Sequence, residues 1–343
     1  MKYFVSVSSR STQDFAKTTN SPSIEYFKGL QLNESFKIKE KDFIPKEYMD
    51  HFYNSDAIVL NGTWGNSLRK ELHIPKDFDY GTIGNTYLCY KQRSAVLDVL
   101  NSHWVDLAKK HNKKIVVFES RTLSRAENNY RETDHKMHVR VSLDSWVYGE
   151  GKWLQSEDFD TVRKIDAERL YNHSWNINEE GSIYIFTGLE TDPTSTMPIN
   201  KFLESSIKII RKNTNRRIKI KIHPASKMIN SYQYLTKKYK NIKFVDIKRD
   251  FKELYEDMYC AVINNSTSIF ELIDAGIPVY CSEVNFGKDL KNIDLNTINN
   301  PHLVSKEEIL NWVNKMSCTE LPYSYFKNDE VLYYTEALIE RYS

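Results

Sequence analysis

Two short strings in this sequence could do chemistry together. His223-Pro224 ends the run RRIKIKIHPAS, and about forty residues later Ser266-Thr267-Ser268, followed by Glu271, opens SIFELIDAG. An imidazole can donate or surrender a proton near neutral pH. Hydroxyls at a helix start, together with the backbone N–H groups exposed there, suit a phosphate. A carboxylate one turn into the helix could take both hydroxyls of a ribose. The plainer readings are a strand-end histidine bonded locally and a first-turn glutamate favoured by the helix dipole.

These residues need elements to hold them. Ile218, Ile220 and Ile222 alternate with Lys219 and Lys221, the period of a strand, which Pro224 must end. Ala261–Ile263 reads as a short buried strand, Asn264-Asn265 as its turn, and Gly276 as the stop of the helix begun by the hydroxyls. Upstream, Ser182–Thr187 (SIYIFT) opens an α/β unit whose loop holds Gly188 and Asp192. A helix over Phe202–Asn213 follows, then a strand over Ile242–Val245 and a last short strand at Pro278-Val279-Tyr280.

The N-terminal half repeats the alternation. Tyr3–Val7 and Asp56–Leu60 read as strands, the first followed by a Ser/Thr-rich loop over Ser8–Thr12 and the second by a loop containing Trp64. A helix over Lys91–Lys110 precedes the strand KKIVVFE, which ends at Glu119. Strand, helix and strand in this order predict parallel sheets. The expected fold class is therefore α/β, with an N-terminal domain over 1–177, a second over 178–325 and a closing helix over 326–343. The span 120–160 lacks long apolar runs and reads as a long irregular region, the kind that often carries function. It holds Arg121, Arg125, Arg140, Asp144 and Trp146.

Composition excludes several classes. The chain has 343 residues, 40% hydrophobic and 27% charged, which are globular values. No apolar run approaches a membrane span and the first residues lack a signal-peptide core, so a cytoplasmic protein is expected. Cys89, Cys260, Cys281 and Cys318 show no metal spacing. Asp77-Phe78-Asp79 and Asp158-Phe159-Asp160 follow no apolar run, and His135 and His138 have no obvious third ligand, so no metal is expected. Neither a Walker sequence nor GxGxxG appears, which argues against a kinase or dehydrogenase. Net charge is +2, yet Lys208–Asp250 holds fourteen Lys/Arg and two Asp/Glu. That stretch reads either as the solvated faces of a helix and strand or as a surface for a polyanion.

Taken in order, IYIFTGLETDPTST, His223-Pro224, Ser266-Thr267-Ser268, Glu271 and Ala275-Gly276-Ile277-Pro278-Val279 resemble GT-B glycosyltransferases. The similarity is to the branch of bacterial sialyltransferases and capsule-polysaccharide Kdo transferases, over roughly residues 182–285. Where that family has a glutamine-containing loop, this chain reads Gly188-Leu189-Glu190. The resemblance implies two Rossmann-like domains with the active site in the cleft between them, no obligatory cofactor, and a UDP- or CMP-sugar donor. The donor would be held by Gly188, Asp192, Pro224, Ser266, Thr267, Ser268 and Glu271, with His223 acting on the departing phosphate oxygen. An inverting reaction also needs a base for the acceptor hydroxyl, for which Glu119 is the first candidate and Asp144 the second. Either also reads as a salt-bridge partner of a nearby arginine.

The composition and the basic stretches also resemble phage-encoded enzymes that glycosylate hydroxymethylated bases in DNA, which would place the chain in the host cytoplasm. Double-stranded DNA carrying hydroxymethylpyrimidine is the favoured acceptor on that basis, with Arg121, Arg125 and Arg140 on phosphates and Trp64 or Trp146 in the space of a flipped base. A capsule or lipopolysaccharide saccharide is the alternative acceptor. A nucleotide-sugar epimerase and a catalytically silent binding protein are the competing classes.

Overall fold

The computed structural model describes residues 1–6, 10–21, 46–61, 104–120, 138–145, 148–154, 175–188, 197–224, 226 and 228–343. The chain divides into two compact units. The first comprises Met1–Trp146, Glu150–Arg163 and Ser317–Ser343, and the second Val147–Gly149 and Lys164–Met316.

In the first unit, three apolar runs form parallel strands: β1 (Tyr3–Val5), β2 (Ala57–Asn61) and β3 (Lys114–Ser120). Their apolar side chains are buried, as expected of parallel strands covered on both faces. Two further strands continue the sheet with reversed pairing. β4 (His138–Leu143) runs antiparallel to β3, and β10 (Glu320–Pro322) antiparallel to β4. β4 falls inside the span that the sequence reads as irregular. Its sequence HVRVSL does alternate, with Val139, Val141 and Leu143 in the core beside Phe15, Phe118 and Phe326. The residues Arg10–Thr18 form a helix where a polar loop is the expectation for Ser8–Thr12. The segment Ser317–Ser343 belongs to this unit, because β10 completes its sheet.

The second unit holds β5 (Ser182–Phe186), β6 (Ile218–Lys221), β7 (Ile242–Phe244), β8 (Met258–Ile263) and β9 (Val279–Tyr280). Their order is β7-β6-β5-β8-β9 and every pairing is parallel. Each residue of β5 and β8 is buried. The helix Ile199–Asn213 packs Phe202, Leu203, Ile207 and Ile210 into the same core as Ile183, Ile220 and Val262. Both described units are thus α/β with parallel strands at their centre, Rossmann-like in construction.

Lys219 and Lys221 do not simply face solvent. Lys219 pairs with Asp257, which also accepts the Tyr184 hydroxyl at 2.7 Å. Burial alone would raise the Asp257 carboxyl, but the bonds from Lys219 and Tyr184 outweigh it and hold the group below the usual carboxylate range. The alternation legible in the sequence therefore marks an apolar face and a second, paired face.

The helix Ile269–Asp274 ends where the sequence places its stop. Gly276 has φ 72°, its N–H donates to Ile273 O and the Ile277 N–H to Leu272 O, both at 2.9 Å. This pair of bonds satisfies the last carbonyls of the helix and requires a left-handed residue. Gly276→Ala should cost about 1 kcal/mol through that backbone conformation. Urea unfolding checks it: the midpoint should fall with an unchanged slope, and an unchanged midpoint would show that the cap contributes nothing.

Candidate active site

Parallel strands deliver all their carboxyl ends to one edge. Here β5 leads into Thr187-Gly188, β6 into Ile222-His223-Pro224, β8 into Asn264–Ser268 and β9 into Cys281-Ser282. β5 has β6 on one side and β8 on the other, so the strand order reverses at β5. Connections leave in opposite directions from such a point and open a crevice, the general ligand position in α/β sheets. The histidine and the hydroxyl cluster of the sequence flank that position.

His223 is fixed by its backbone. Its N–H donates to Thr187 Oγ1 at 3.1 Å, and Thr187 N–H donates to Lys221 O at 3.1 Å, so the ends of β5 and β6 are stitched in both directions. Ser226 N–H donates to His223 O at 2.9 Å and turns the chain back. The histidine is half-buried and Pro224 exposed. Lys221, 6% exposed, donates to the carbonyls of Asp246 at 3.2 Å and Ile247 at 3.0 Å, tying this strand end to the loop after β7. Burial lowers its pKa, opposed by the charges of Asp246 and Asp250.

The loop after β8 is equally built. Ser268 N–H and Ser268 Oγ both donate to Ser266 Oγ, at 3.2 and 2.8 Å. Asn264 O accepts from Ser282 N–H at 3.3 Å and Ser282 Oγ at 3.0 Å. Asn285, fully buried, donates its amide to Asn264 O, Asn265 Oδ1 and Ser266 O at 3.3–3.5 Å, while its Oδ1 accepts Gly287 N–H at 2.9 Å. A Cβ at Gly287 would meet Ile269 Cδ1 at 1.8 Å, so the glycine lets this turn pack on the helix that follows the loop. Glu271 is exposed on the first turn of that helix. Burial first, then Glu271, Asp274 and Asp250, push the Tyr255 hydroxyl above its ordinary range.

The sequence-predicted residues divide as follows. Gly188 is half-buried at the end of β5, and His223, Pro224, Ser266, Thr267, Ser268 and Glu271 belong to the edge just described. Asp192, Arg121, Arg125, Trp64 and Trp146 lie outside the described residues. Glu119 stands near the carboxyl end of β3, half-buried. Asp144 does not join it. Because β4 is antiparallel, Asp144 N–H donates to Ile115 O at the opposite end of β3, about 13 Å along the strand from Glu119. Its carboxylate pairs with Lys152 at 2.8 Å. Arg140 does not offer a surface to an acceptor either. It is 5% exposed, in register with Glu119 on one side and Glu320 on the other, and its guanidinium lies 5.5 Å from the Trp153 ring.

Sequence reasoning missed Thr187 and Asn285. Thr187 is legible only as the polar end of an apolar strand, and Asn285 only as an Asn two residues before a Gly, a local turn signal.

Part of the basic stretch holds the protein's own groups. Arg211 donates to the carbonyls of Thr214, Arg216, Lys240 and Asn241. Arg216 lies 3.8 Å from the Tyr259 ring, Lys238 pairs with Glu204, and Arg249 with Glu253. Arg217, Lys237, Lys240 and Lys243 line a groove of about 660 Å³ beside β7, the outermost strand, rather than the carboxyl edge. Lysines on an edge strand also discourage pairing with another chain. Among the described residues, no three His, Cys, Asp or Glu side chains converge as a metal site, and no helix is long and apolar enough to cross a membrane.

No family model matches the sequence, and no curated protein matches it. Among solved structures, the chain is similar to the KpsC β-Kdo 2,7-transferase of Thermosulfurimonas dismutans, at 14% identity, 90% coverage of this chain, 88% of that chain and a TM-score of 0.44. The β-Kdo 2,4-transferase of the same KpsC is similar at 12% identity, with 75% and 79% coverage and a TM-score of 0.38. A UDP-GlcNAc 2-epimerase of Methanocaldococcus jannaschii, in complex with UDP-GlcNAc and UDP, is similar at 14% identity, with 87% and 78% coverage and a TM-score of 0.28.

Thr187→Val keeps the shape at the end of β5 and removes the acceptor of the His223 N–H. The expected loss of stability is about 1–2 kcal/mol, the cost of leaving that donor without its partner. Chemical denaturation measures it, and a loss below the error of the fit would mean that the Thr187–His223 bond holds nothing.

Proposed function

We propose that the chain is a GT-B-type glycosyltransferase that moves a sugar from a nucleotide-sugar donor to a hydroxyl acceptor. The observation that carries this reading is that His223 and the Ser266–Ser268 hydroxyls follow the carboxyl ends of the two strands that flank the strand-order reversal of an all-parallel sheet. In the reaction the bond between the anomeric carbon and the phosphate oxygen breaks, and negative charge grows on that oxygen. His223 donates to it, and the hydroxyls and N–H groups of the 264–268 loop stabilise the charge, where fixed donors act most strongly. The acceptor oxygen forms the new bond to the anomeric carbon and gives its proton to a carboxylate. Glu119 is the base candidate of this reading. In this reading protein groups rather than a metal carry the leaving-group charge, so turnover is expected to persist in EDTA.

The acceptor of this reading is a hydroxyl group, on hydroxymethylated DNA or on a saccharide. The electrostatic reason for DNA weakens once Arg140 is buried and Arg211, Arg216, Lys219 and Lys221 hold the protein's own groups.

UDP or CMP should raise the melting temperature, increasingly with concentration, as binding to the native state requires. No shift with either nucleotide at millimolar concentration would remove the donor site. With a competent donor, His223→Ala should lower kcat by about a hundredfold or more, within the range of general acid catalysis, while the donor KM changes little. A raised KM with kcat intact would make His223 a binding residue instead.

The acceptor is decided by incubating the chain with UDP- and CMP-sugars and either oligosaccharides or hydroxymethylated duplex, then weighing the products. Added sugar mass on the oligosaccharide would assign a saccharide acceptor. Added mass only on the modified base would reassign the acceptor to DNA. Isomerised donor without transfer would identify an epimerase, and binding without turnover a silent protein.

A further inference from the structure

β7 is the outermost strand of the second sheet, paired with β6 on one side. Ile218 N–H donates to Asn241 O at 3.0 Å and Val245 N–H to Ile220 O at 2.9 Å, so Asn241, Lys243 and Val245 turn their backbone groups toward β6. Successive residues of a strand point these groups to opposite sides. The N–H and C=O groups of Ile242 and Phe244 therefore face the open edge, and among the described residues they have no partner.

Two adjoining cavities, of about 660 and 550 Å³, follow this edge. The first takes in Asn241, Ile242 and Lys243, the second Lys243, Phe244 and Val245, so together they run from one end of the strand to the other. Their charges differ. Lys219 and Lys238 at the first cavity are paired, with Asp257 and Glu204. Arg217, Lys237, Lys240 and Lys243 line it too, are exposed, and have no acidic partner among the described residues. The second cavity includes Asp246, so the unpaired positive charge gathers at the start of β7.

We infer that this edge takes up an extended acidic segment of another protein as a further strand, its carboxylates lying beside Asn241–Lys243. Two features select that partner. The edge offers donors and acceptors in alternation, which the backbone of a peptide completes. A phosphate backbone supplies acceptors alone and would leave both carbonyls unpaired. Charge makes the second selection. Unpaired cations repel a second copy of the same edge and are costly to desolvate against an apolar strand. Facing carboxylates remove both penalties, so the side chains that refuse wrong strands admit an acidic one. The inference is independent of the nucleotide-sugar reading, which concerns the carboxyl ends of the strands.

The test measures fluorescence anisotropy of labelled peptides of about eight residues, long enough to span β7 with a margin. The probes are an alternating Glu-Thr peptide, its Lys-Thr counterpart and an oligodeoxythymidylate of equal charge. The Glu-Thr peptide should bind, and more weakly as salt rises. Exchanging Lys240 and Lys243 together for glutamate (K240E and K243E) should weaken it by about tenfold or more, with melting of the variant reporting its folding. No binding of the Glu-Thr peptide at about millimolar concentration, or equal binding of the Lys-Thr peptide or the oligonucleotide, would overturn the inference.

Hydrogen exchange on the wild-type chain separates a strand from a loosely held polyanion and needs no variant. The Ile242 and Phe244 amides should exchange about tenfold or more slowly when the Glu-Thr peptide is bound. Bound peptide with both amides exchanging as before would overturn the inference, whatever the fate of the variant.

Discussion

The candidate site depends on one hydrogen-bond ladder, that of β5. This strand pairs with β6 on one side and β8 on the other, in register through Ile183, Ile185 and Phe186. Because both pairings are parallel, the three carboxyl ends lie together, and the groups beyond them need only short loops to meet. Side-chain period makes this arrangement strict, since a slip of one residue would exchange the faces of a strand. His223 is then placed by β6, and Ser266–Ser268 by β8, before any ligand contributes.

The supports beneath this edge are polar and mostly buried. Thr187 holds the backbone of His223, Lys221 holds the loop after β7, and Asn285 holds the loop after β8. Each takes backbone groups that strand pairing leaves unsatisfied at a strand end. Leaving such groups without partners in a low-dielectric interior is costly, so these side chains stabilise the fold and fix the site by the same bonds.

Much of this second unit was legible in sequence. SIYIF and MYCAVI are continuous apolar runs because their strands are buried on both faces, and Gly276 marks a helix stop because only a left-handed residue closes it. The first unit hid more. HVRVSL carries an arginine at its centre, which masks a strand whose partners Glu119 and Glu320 come from distant parts of the chain. The antiparallel run of β4 sets Asp144 at the far end of β3 from Glu119 and buries Arg140 between two strands. Asn285 was illegible for a related reason: its partners are carbonyls, which any residue supplies and no motif records.

The return of β10 to the first sheet has a consequence for how the molecule is made. β4 obtains its outer neighbour from residues that emerge from the ribosome only after the whole second unit has been synthesised. Closing so long a loop costs entropy before any pairing rewards it, and domains generally fold as units as the chain appears. The second unit, whose strands are contiguous in sequence, can complete its ladder while the first still exposes an unpaired strand edge. For that interval the vulnerable part of the nascent chain is the half made first, and it is sealed by residues translated after its neighbour is complete.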